Sequence, residues 1–130
     1  DCVMVDWLLA TRAWADGATL HFDQSPHMAY RQYAENTARV LPPFTVDQIL
    51  LATERVIAHY EMLYEAINHP ATEHHVLLSQ AEKTARQFQT AITSSRTTLN
   101  RYLTELDTLP HDHVWWSCVA HPKLENVWKN

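Results

Sequence analysis

A single glycine, Gly17, stands in a chain of 130 residues, where roughly 7% glycine is ordinary. That scarcity constrains the fold more than any other feature. Loops that cradle phosphate need glycines so that the backbone can approach the anion, and a nucleophile elbow needs them for its strained turn. Neither can be built from this sequence, which excludes Rossmann-type and P-loop nucleotide sites. Tight β-hairpins lean on Gly and Asn-Gly in the same way, so an all-β fold is disfavoured too. Hydrophobic residues make up 46% of the chain, enough for one continuous core at this length. The expectation is a single all-α domain, 1–130. A first residue other than Met further suggests a piece excised or processed from a longer protein.

Apolar spacing divides the chain into helices. Met4, Trp7, Leu8, Thr11 and Trp14 recur at three-and-four spacing, and Gly17 follows as a left-handed terminator, predicting a helix over 2–15. The stretch "ATLHFDQ" reads as an extended connection. Ser25-Pro26 opens a second helix, which Pro42-Pro43 ends. Thr45 and Gln48 form a capping box for a helix over 45–67. Its face is wide: Ile49, Val56, Tyr60, Leu63 and Ile67 form one stripe, and Leu50, Ile57 and Tyr64 a second, so it should pack against more than one neighbour.

After Pro70 no proline or glycine intervenes until Pro110. A nearly unbroken repeat runs through Leu78, Ala81, Ala85, Phe88, Ile92, Ser95, Leu99, Tyr102 and Leu106. Uninterrupted, this helix would be about 38 residues and roughly 57 Å long. Its weak point is "TSSRTT", where hydroxyl side chains compete for backbone hydrogen bonds and a break near Ser94 is expected. The short turn near residue 69 makes 45–67 and 70–109 an antiparallel α-hairpin. The tail reads as two short helices, one capped by Asp112 and one started by Pro122.

The formal charge is −5 with only ten basic residues, and no basic face of the kind nucleic-acid binding requires emerges. The longest apolar stretches fall far short of the roughly 20 residues that span a bilayer. Cys2 and Cys118 fit no metal-ligand spacing and read as buried thiols of a cytoplasmic protein.

Nine histidines raise the question of a metal site, most sharply in "HPATEHH". A helical site calls for H-x-x-x-H, E-x-x-H or H-E-x-x-H, since only positions three or four apart share a face. None of these is present. Folding the hairpin about residue 68 or 69 sets His74 opposite Leu63, one turn from His59. His59, His74, His75 and Glu65 are therefore the candidate ligands of a metal- or small-ligand-binding reading. The competing account is simpler: Glu73 complements the helix dipole and the histidines are polar residues at a helix start. In "HDH", residues 111–113, Asp112 serves as an N-cap.

No catalytic motif, cofactor or activated nucleophile is apparent. The expectation is a non-enzymatic helical interaction or assembly module that docks to another protein or to itself. Its candidate contact residues are Trp115, Trp116 and Trp128 in the tryptophan-rich tail, with Leu99 and Tyr102 on the long seam, because tryptophan and tyrosine anchor interfaces.

Overall fold

The computed structural model describes residues 4–21, 25, 42–66, 73–110 and 115–129. The expected helix over 26–41, the Asp112 cap, Cys2 and the 67–72 turn lie outside these. The protein is an all-α bundle, with no strand among the described residues. Its helices are α1 (Val5–Ala15), α2 (Val46–Ala66), α3 (Glu73–Ser94), α4 (Arg96–Leu106) and the single turn α5 (Glu125–Trp128). Two 3-10 turns, Trp115–Cys118 and Pro122–Leu124, join α4 to α5.

Local sequence signals set the helix ends. The Thr45 amide donates to Gln48 Oε1 at 2.9 Å, and the Gln48 amide donates to Thr45 Oγ1 at 3.3 Å, closing the capping box of α2. Helix α1 ends in a Schellman arrangement. The Gly17 amide bonds the Trp14 carbonyl at 3.0 Å and the Ala18 amide bonds the Ala13 carbonyl at 2.9 Å, with Gly17 at φ +93°.

Helices α2 and α3 form the antiparallel hairpin. Leu63 packs with Leu78, Val56 with Ala85, and Ile49 with Phe88 and Ile92, so contacts pair early residues of one helix with late residues of the other. Arg86 ties the outside of the pair, donating to Glu61 on α2 and to Glu82 on its own helix, both at 2.8 Å.

The second arm of the hairpin is not one 38-residue helix. Ser95 leaves the helical region at φ −141°, ψ 108°, and its hydroxyl accepts from the Thr98 amide, so the same residue ends α3 and caps α4. In a straight helix Phe88 and Tyr102 would stand about 21 Å apart along the axis. Their ring centroids are 4.7 Å apart, so α4 folds back onto α3. The unbroken apolar repeat is explained by this: both halves turn their stripe toward one core. Ser95 is a cap rather than a polar residue on an extended seam.

That core holds Ile49, Phe88, Ile92, Leu99, Tyr102, Leu106, Cys118, Leu124, Val127 and Trp128. The C-terminal segment is fastened into it by the Tyr102 hydroxyl, which donates to the Cys118 carbonyl and accepts from the His121 amide, each at 2.8 Å. At the other end of the hairpin, α1 lays Leu8, Trp14 and Ala15 against Leu63 and Leu78.

Candidate functional site

Three histidines lie against aromatic rings, each pair joining two helices. His59 on α2 stacks on Trp7 of α1, with centroids 3.5 Å apart and planes within 5°. His74 on α3 tilts over Trp14 of α1 at 4.1 Å. His75 on α3 meets the ring of Tyr64 on α2 edge-on at 5.2 Å. Trp7 and Trp14 are seven residues apart, two turns of α1, or roughly 10 Å along its axis. The two histidines that the hairpin was expected to bring together are thus held against separate tryptophans. The register accounts for it: Leu63 packs with Leu78, one turn beyond His74. Glu65 is exposed, and Glu61 is engaged with Arg86. Among the described residues no three His, Cys, Asp or Glu side chains converge on a position where a metal ion could sit.

His59 is fully buried, and neither ring nitrogen has a hydrogen-bond partner among the described residues. Burial alone lowers its pKa to about 4, since a charged imidazolium there would be cut off from water. Burial also raises the Cys118 thiol to about 12. Nucleophilic cysteines need the reverse, an accessible and electropositive setting, so Cys118 serves packing. The Tyr60 hydroxyl is raised as well, by burial and then by Tyr64.

The tail tryptophans separate in role. Trp128 is buried, edge-on to Phe88 at 5.4 Å, and Leu99 and Tyr102 are buried with it. These three fill the domain's own core. Trp115 opens the first 3-10 turn. Trp116 is 36% exposed and stacks on Trp7 at 4.6 Å with planes within 2°. Trp7 therefore connects buried His59 to a tryptophan at the surface.

Trp116 also borders two depressions. One, of about 480 Å³, is walled by Trp7, Ala10, Trp14, Leu20 and Trp116, with Asp6 and Thr11 at its polar edge. The other, of about 350 Å³, runs between α2 and α3 past Tyr60, Leu77, Ala81 and Val119. In their walls Leu20 and Leu77 each expose more than half of their surface. In the sequence Trp7 and Trp14 mark only the apolar spacing of a helix over 2–15, and Leu77 falls outside the predicted stripe. The signal was present in "HVLLS", where three consecutive apolar residues are more than one helix face can bury.

The chain matches no protein-family model, no curated protein and no solved structure. No helix among the described residues is long and apolar enough to cross a membrane.

Proposed function

We propose that this domain is a non-enzymatic docking module that binds a protein through the apolar face centred on Trp116. The observation that carries the reading is the position of Trp116 between two apolar depressions, whose walls include exposed Leu20 and Leu77. A partly exposed tryptophan beside preformed hollows is the usual anatomy of an interface anchor, and contiguous apolar surface on a small domain calls for cover. The partner is a protein, either a second copy or another chain. The net charge of −5 turns nucleic acid away. Two cysteines in 130 residues support a cytoplasmic setting.

The experiment is light scattering over a concentration series, with metal content measured on the same sample, for the wild type and for Trp116→Ala and Leu77→Asp. Concentration-dependent association without metal, lost in both variants, identifies the partner as a second copy. A monomer of unchanged fold directs the same variants to capture experiments against other proteins. Stoichiometric metal in the purified protein, or association indifferent to both substitutions, would overturn the reading.

A further inference from the structure

We propose that the Trp7–His59 stack is an acid-sensitive latch, which holds α1 on the α2–α3 hairpin while His59 is neutral and releases it when His59 takes a proton. The inference does not rest on the docking reading, although release of α1 would also open the Trp116 face, since Trp7 stacks on Trp116.

The geometry makes protonation and docking incompatible. The His59 ring is fully enclosed, with Trp7 lying flat on it at 3.5 Å. A neutral imidazole gains from the flat stack and leaves one N–H and one lone pair unpartnered among the described residues, a smaller cost than a buried charge. An imidazolium would bring a charge and a second N–H into a site where neither nitrogen has an acceptor among the described residues. The face of Trp7 offers some cation–π attraction, but that is weaker than the hydration a buried, unpaired charge loses. The surrounding elements carry Asp6 and Arg12 on α1, Asp47, Glu54, Arg55, Tyr60, Glu61, Tyr64 and Glu65 on α2, Glu73, His74, His75, Glu82, Lys83 and Arg86 on α3, and Cys118 in the first 3-10 turn, and of these the Tyr60 ring meets that of His59 edge-on at 5.8 Å. Burial, and none of these, sets the affinity of His59 for a proton.

Helix α1 is the element that can leave. It has 11 residues and no side-chain hydrogen bond at its N-cap, Met4, and a helix so short is marginal alone. Its hold on the bundle centres on Trp7, which stacks on His59 and Trp116 and packs on Val56, Ile57 and Ala85, with Trp14 on His74 and Leu8 and Ala15 against Leu63 and Leu78. Helices α3, α4 and α5 share a separate core around Phe88 and Tyr102, which does not include α1. Release would uncover His59 and the α1-facing side of Leu63 and Leu78.

The direction follows from linkage. With the folded pKa near 4 against 6.5, docking is undiminished above pH 6.5 and weakens as pH falls from there toward 4. From neutral pH to pH 4 the undocking constant rises by about 150-fold, approaching about 300-fold below that, if release exposes His59 fully.

The test is hydrogen exchange on the full chain between pH 7 and 4, corrected for intrinsic exchange rates, in the wild type and in His59→Phe, which keeps a ring but cannot be protonated. The expected result is progressive loss of protection in α1 below pH 6.5, with α3 and α4 retained, and no such loss in His59→Phe. Equal acid loss in that variant, or α1 protected at pH 4 as at pH 7, would overturn the latch. Should His59→Phe fail to fold, NMR titration of the wild-type His59 ring decides the matter. Titration well below 6.5, coincident with α1 release, supports it, and titration at 6.5 or above refutes it.

Discussion

The hydroxyl of Tyr102 and the amide of His121, 19 positions apart in the chain, meet in a buried hydrogen bond of 2.8 Å. The same hydroxyl donates to the Cys118 carbonyl, so one oxygen satisfies two backbone groups of the C-terminal segment. Replacing Tyr102 by Phe keeps the ring against Phe88 and removes only that oxygen. Both backbone groups then lose that hydroxyl as a partner, at about 2–3 kcal/mol together. Urea denaturation should show the loss, and exchange of the His121 amide should accelerate beyond what global stability explains. An unchanged midpoint would mean that water substitutes for the hydroxyl.

What could be read in advance was what is local. The Thr45–Gln48 box and the Gly17 terminator depend on residues within one turn, and the structure places both as the sequence predicts. The double stripe of α2 called for several neighbours, and α2 packs against α1, α3, α4 and the first 3-10 turn. The fold-back at Ser95 was only half legible. "TSSRTT" marked the weak point, but a three-and-four repeat is identical whether a helix continues or reverses onto itself. The histidine environments were not legible at all. His59 and His74 are defined by Trp7 and Trp14, some 50 and 60 residues earlier in the chain, and nothing in either local stretch specifies how α1 docks.

Gly17 supplies a measure of how firmly α1 is terminated. Its φ of +93° is one that L side chains adopt only under strain, while open space surrounds the position a Cβ would occupy. Gly17→Ala should therefore cost backbone energy alone, about 1 kcal/mol. Thermal unfolding checks this, and the cost should be no larger for Gly17→Ser, since no neighbour stands in the way.

Ala120 presents the opposite case. It occupies the left-handed region at φ +49° between the two 3-10 turns, where a non-glycine residue is strained by roughly 1–2 kcal/mol. Ala120→Gly relieves that strain and gives back about 0.4–1 kcal/mol through the freer unfolded chain. The net expectation is a gain of about 0.5 kcal/mol, read as a higher urea midpoint at unchanged slope. A loss of stability would show that the Ala120 methyl, which lines the smaller depression, contributes more by packing than its backbone costs.

Ser95 decides whether the reversal of the chain is written into its cap or imposed by the core. Its hydroxyl accepts from the Thr98 amide at 3.2 Å, and removing an N-cap oxygen costs about 1 kcal/mol. Ser95→Ala should lose that amount, and Ser95→Asp, which retains an acceptor and adds a charge favourable to the helix N-terminus, should lie within about 0.5 kcal/mol of wild type. The reversal itself should survive in both, because Phe88 against Tyr102 and Trp128 against Phe88 require α4 to lie on α3. Small-angle scattering separates the two causes. An unchanged radius of gyration in Ser95→Ala assigns the fold-back to the core. An elongated particle would mean that the α3–α4 run prefers a single continuous helix, and that the hydroxyl of one serine is what prevents it.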